Sequence, residues 1–95
     1  MVTRYIAFHN EHDPHQAPKK DIDRFETTIR SDTYKVTAAQ IATMDVQIGR
    51  IYNALQDAEM LENCIISFTS DNGGPLDHAN NFPHRGGKYS QGVGR

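Results

Sequence analysis

Cys64-Ile65-Ile66-Ser67-Phe68-Thr69, running straight into Ser70-Asp71-Asn72-Gly73-Gly74, decides how this chain is read. Four of the first six residues are apolar, and isoleucine and phenylalanine favour sheets. The glycines then end the run, so it reads as a short buried strand. The Asp71-Asn72 pair at its carboxyl end offers a carboxylate and an amide oxygen, the hard oxygen donors that Ca²⁺ and Mg²⁺ take. In open α/β sheets, ligands gather at that end of the strands. Gly73 and Gly74 let the backbone turn and let a ligand come close. A plain Asn-Gly turn between two elements is the alternative reading of the same five residues.

Outward from this segment, the expected order is a strand over about 4–8, a loop over 9–20 and a weakly patterned stretch over 21–35. A helix follows over 37–61, then the strand over 64–69 and a glycine-rich loop to the end. This is one α/β unit, β-α-β, with parallel strands and the helix as a right-handed crossover. Parallel sheets are covered on both faces, and two strands with one main helix cannot supply that cover. The expectation is therefore a piece of a larger parallel-sheet domain.

The helix rests on Ile41, Met44, Ile48, Ile51 and Leu55, whose spacings of three and four put them on one face. Thr37 with Gln40 three residues later has the form of a capping box. Gly49 in mid-helix costs about 1 kcal/mol relative to alanine, which points to a packing reason such as close approach to the sheet. Asp45, beside Met44 at the apolar border, reads as a solvated helix-edge residue.

Composition narrows the function classes. The chain has 95 residues, enough for at most one domain, with 37% hydrophobic and 23% charged residues. A formal net charge of −2 gives no basic surface for nucleic acid or anionic lipid. No apolar run approaches the roughly 18 residues of a membrane span. Residues 1–30 lack the apolar core of a secretion signal, which leaves localisation open. The single cysteine allows no internal disulfide.

Three polar clusters fall at or beyond the expected strand ends: His12-Asp13-Pro14-His15-Gln16-Ala17-Pro18, Ser70-Asp71-Asn72-Gly73-Gly74, and Asn80-Asn81-Phe82-Pro83-His84-Arg85-Gly86-Gly87-Lys88. With the helical Met44-Asp45 and Ile48-Gly49-Arg50, in this order, the chain resembles the sulfatase family, and within it the arylsulfatase B type. The resemblance runs from about Tyr5 to Arg95. It implies an alkaline-phosphatase-like parallel-sheet domain, several times longer than this chain, that hydrolyses sulfuric esters. On that basis residues 1–95 are expected to be a partial sulfatase domain, from a lysosomal or secreted parent.

The resemblance also implies roles. Asp71 and Asn72 correspond to an Asp-Asn pair that holds calcium together with two further Asp residues near the start of the family's domain. Those two have no counterpart here, and two protein ligands fall short of the roughly 6–8 oxygens that Ca²⁺ takes. Lys88 matches a lysine that contacts the sulfate, a use that suits a flexible ammonium point charge. His12 matches a histidine that donates a proton or a hydrogen bond at the sulfate ester, as an imidazole near neutral pH can. His12 and Lys88 are thus the candidate catalytic and substrate-binding residues. The suggested substrate is a sulfate ester such as a sulfated glycosaminoglycan sugar. A zinc reading of His9, His12 and His15 fails because Pro14 breaks any helix that would face them together. His9, His15, His78 and His84 read as surface or loop residues, and Arg85 as a structural loop residue.

Three departures from the family's pattern stand out. Sulfatases use a cysteine in Cys-x-Pro-x-Arg, converted to formylglycine, as nucleophile, whereas Cys64 lies in Cys-Ile-Ile-Ser-Phe and reads as a small core residue. His84 replaces a usually apolar residue, and Ser90-Gln91-Gly92-Val93-Gly94-Arg95 is shorter than the family's corresponding segment and lacks its Glu. A fragment of a related metal-dependent phosphoryl hydrolase, and a catalytically inactive product without the nucleophile, are the alternatives.

Overall fold

The structure, a computed structural model, describes residues 2–10, 12 and 14–90. The shortened tail from residue 91 to residue 95 lies outside them. Helix α1 spans Lys19–Asp23. Helix α2 spans Asp32–Asp57, 26 residues. A single 3₁₀ turn follows at Leu61–Asn63.

α2 begins earlier than its apolar row suggests. Ser31 is its N-cap in extended conformation, and its hydroxyl accepts the Tyr34 N–H at a long 3.5 Å. Asp32 in the first turn complements the positive helix end. Thr37 is not a cap. It lies inside the helix, where its hydroxyl donates to the Thr33 carbonyl at 3.3 Å and to the His78 carbonyl at 2.9 Å. The expected Thr37–Gln40 capping box is replaced by a tie between helix and loop.

The other end of α2 closes with a pair of bonds around a left-handed residue. The Met60 N–H donates to Leu55 O and the Glu59 N–H to Gln56 O, each at 2.9 Å. Glu59 has φ 55°, a conformation more often given to glycine. These bonds satisfy carbonyls that the last turn leaves open, and they stop the helix at Asp57 rather than at residue 61.

The most buried positions of α2 lie toward its N-terminal half. Ala39 is fully buried, with Gln40 and Lys35 nearly so. Lys35 Nζ is held by Glu26 Oε2 at 3.0 Å and by Asp32 Oδ1 at 3.1 Å. Its hydrogen bond to Glu26, then that to Asp32, raise its pKa above the ordinary lysine value. An ammonium can be buried there because it is paired. Met44, Ile48, Ile51 and Leu55 are half-buried, and Ile41 is exposed. Gly49 has open space where a Cβ would stand, so no close approach to another element explains it.

The β-α-β arrangement is not formed. Among the described residues there is no strand and no sheet. A strand exists through the neighbour that accepts its ladder hydrogen bonds, and neither segment has one. The stretch after Cys64 stays extended at its start but open to solvent, with Ile65 98% and Phe68 67% exposed. Tyr5 and Ile6 are exposed as well. Apolar composition predicts a strand only where something pairs with it, and here nothing does. The α/β reading is therefore corrected to a helical arrangement in which α2 carries two long loops.

Candidate functional site

The Ser70–Gly74 segment ties itself into a tight bend. The Asn72 N–H donates to Asp71 Oδ1 at 2.8 Å, and Ser70 Oγ donates to the Asn72 carbonyl at 2.6 Å. Asn72 Nδ2 donates to Gly73 O at 2.9 Å. The nitrogen of that carboxamide is thus engaged. The Asp71 carboxylate is exposed.

Gly74 joins this bend to the lysine loop. Its N–H donates to Asn81 Oδ1 and its carbonyl accepts Asn81 Nδ2, both at 2.9 Å. The same carbonyl accepts the Lys88 N–H at 3.1 Å. Gly87 is buried against this junction, and a Cβ there would collide with Gly74 O and stand 2.9 Å from Asn81 Nδ2. Gly86 has φ 77°, which favours glycine. Ser90 closes the turn, its hydroxyl accepting the Gly87 N–H and donating to Gly87 O, both at 2.7 Å. The Lys88 ammonium lies 5.3 Å from the centre of the exposed Tyr89 ring. Arg85 is exposed and forms no ion pair among the described residues.

His12 is exposed, and its N–H donates to the His9 carbonyl at 3.3 Å. It lines a cleft of about 310 Å³ with Asn10, Pro14, Gln40 and Thr43. Asp71, Asn72 and Lys88 do not line that cleft. The structure thus brings Asp71, Asn72 and Lys88 into one hydrogen-bonded loop system and leaves His12 in a neighbouring one.

α2 links the two systems. On one side His15 Nδ1 lies 3.2 Å from Gln40 Oε1. On the other, Tyr34 donates its hydroxyl to Leu76 O at 3.4 Å, beside the Thr37–His78 bond. The two loops meet where the His15 and His78 rings stack, 4.4 Å between centres and 23° apart in plane. His78 Nδ1 is 2.8 Å from Asp77 Oδ1, a close approach without the alignment of a hydrogen bond. The His78 ring, followed by the residue's own backbone, holds the Asp77 carboxyl below the usual carboxylate range.

Reading the motifs one by one missed this layer. Tyr34, Thr37 and Gln40 recur every third residue on α2, a polar row on a helix otherwise sought for its apolar one. That row was the available signal. Asn81 had none beyond its place in Asn80-Asn81-Phe82-Pro83.

The sulfatase family model matches residues 4–93. The chain belongs to the sulfatase family. Arylsulfatase J of Mus musculus is 33% identical to this sulfatase chain over 85 residues. That alignment covers 88% of the chain and 14% of the mouse protein, so the chain spans a small part of the curated relative's length. No solved structure matches it significantly.

Proposed function

We propose that this chain supplies part of the metal and sulfate site of a sulfuric ester hydrolase. Family membership supports the substrate class, since sulfatases act on sulfate esters and are in general metal-dependent. The observation that carries the reading is the Gly74 carbonyl, which accepts the Lys88 N–H and so keeps the lysine loop against the Asp71-Asn72 bend.

Asp71 and Asn72 fit calcium in donor type. One is a carboxylate, and the other has an amide oxygen whose partner nitrogen is already engaged. They do not fit it in number: two ligands fall short of the roughly 6–8 oxygens of Ca²⁺, and no group of three or more His, Cys, Asp or Glu side chains that could hold a metal is present among the described residues. When bound, the cation would offset the negative charge of a sulfate. Lys88 supplies a second positive charge from a loop braced by Gly86, Gly87 and Ser90. His12 contributes an imidazole that can donate a hydrogen bond or a proton to a sulfate oxygen or a leaving alcohol. Cys64 is not the nucleophile, for it lies outside any Cys-x-Pro-x-Arg pattern. A sulfated glycosaminoglycan sugar is the proposed substrate.

Titrating the chain with CaCl₂, followed by amide NMR, tests the metal half. Shifts should centre on Asp71, Asn72 and Gly73, with affinity weaker than about 1 mM because the ligand set is partial. Asp71→Ala should abolish them. Shifts elsewhere, or unchanged in Asp71→Ala, would reject the assignment.

A further inference from the structure

We infer that Asn81 is a positioning residue: its carboxamide clamps the backbone N–H and C=O of Gly74 and thereby sets the Lys88 loop against the Asp71-Asn72 bend. The inference rests on the reading of Asp71, Asn72 and Lys88 as a site. Asn81 itself touches neither metal nor sulfate in that reading.

The geometry is specific to a carboxamide. Oδ1 accepts from Gly74 N and Nδ2 donates to Gly74 O, both at 2.9 Å. No other side chain except glutamine offers an acceptor and a neutral donor side by side. The Gly74 carbonyl is then shared, since it also receives the Lys88 N–H at 3.1 Å. One glycine backbone thus joins a bend carrying two oxygen donors to a loop carrying a cation. Gly87 completes the fit, because any side chain there would displace both Gly74 O and Asn81 Nδ2. The His84 N–H donates to the Asn81 carbonyl at 2.8 Å, which ties the clamp's own backbone to the next turn.

The two halves of the clamp can be separated. Asn81→Asp keeps an acceptor for the Gly74 N–H but loses the donor to Gly74 O and puts negative charge beside it. Asn81→Ala loses both. The experiment is amide hydrogen exchange and ¹⁵N NMR on the full chain at low temperature, with millimolar inorganic sulfate as the anion probe. In Asn81→Ala, Gly74 and Lys88 amides should exchange on the order of fivefold faster per hydrogen bond lost, while Ala39 and Gln40 in α2 keep their rates. In Asn81→Asp, Gly74 should stay protected and Lys88 should not. A general loss of structure would not produce that split. If Asn81→Ala also loosens α2, the Asn81→Asp pattern alone decides.

Sulfate-induced shifts at Lys88 in the wild type should weaken in both variants. A wild type that shows the exchange pattern but no sulfate response would reject the sulfate reading and leave the clamp standing. Unchanged Gly74 and Lys88 exchange in Asn81→Ala, or no protection of these amides in the wild type, overturns the inference.

Discussion

Asp77 is the carboxylate that the structure perturbs most directly, through the His78 ring 2.8 Å away. A carboxyl whose folded pKa is lowered stabilises the fold above its unfolded value, near 3.9, and that contribution disappears as pH falls through the lowered folded value. Acidification from about pH 5 toward pH 3 should therefore loosen the Pro75–Ala79 loop. Asp77 is largely exposed, so the effect is small and screened by salt. It should appear as a change in the His15 and His78 ring signals in NMR, and Asp77→Asn should remove that part of the pH dependence. A wild type and an Asp77→Asn variant with identical profiles below pH 5 would contradict it. The candidate residues His12, Asp71, Asn72 and Lys88 stand out in the sequence because each sits in a local motif whose residue types suit an oxygen-rich anion and a hard cation. The groups that hold those motifs were not. His15 reaches His78, and Asn81 reaches Gly74, through chain reversals that no local pattern encodes.

At the scale of the element, α2 and its closing turn contain two positions where the residue type works against the backbone. Gly49 has nothing within 4 Å of the point a Cβ would occupy, so it gains nothing from lacking one. Gly49→Ala should stabilise by about 0.5–1 kcal/mol through reduced backbone entropy of the unfolded chain and better helix propensity. Glu59 sits at φ 55° in the closing turn, and Glu59→Gly should relieve about 1 kcal/mol of left-handed strain. The two sites lie far apart along the helix and should add. Helical ellipticity against urea measures both, and loss of stability in either variant would show an unrecognised contact. The helix itself was legible from its apolar period, but its ends were not. Thr37-x-x-Gln40 mimics a start signal, while the real start at Ser31 lacks the acidic or amide residue three positions on. The real stop uses a glutamate where glycine is the usual sign. The strands failed for a different reason: apolar alternation and β-branching describe a segment's fitness for a sheet, and a sheet is a property of two segments.

For the molecule as a whole, burial is the deciding quantity. The buried hydrophobic core comprises Ala39 among the described residues, whereas Val2, Tyr5, Ile65 and Phe82 are each more than four-fifths exposed. The radius of gyration is 15.7 Å, against roughly 12 Å expected from size scaling for a compact chain of this length. Denaturant sensitivity scales with the surface newly exposed on unfolding, and here little apolar surface is hidden to begin with. The urea m-value of the isolated chain should therefore fall below about 1 kcal/mol/M, under the usual range for small proteins. The same shortage weakens cooperativity, because α2 draws most of its tertiary support from hydrogen bonds and ion pairs at its N-terminal half rather than from a shared apolar interior. Helical ellipticity and the Tyr34 ring signals in NMR should then not coincide: the Tyr34–Leu76 contact, exposed and 3.4 Å long, should be lost before the helix melts. Ile65→Ser provides the control, since a side chain 98% exposed contributes no burial and its removal should leave both transitions unmoved. A single sharp transition, coincident by both probes, with an m-value well inside the usual range and a destabilised Ile65→Ser variant, would mean that the Cys64–Thr69 segment is packed in solution and that burial does not limit the molecule's stability.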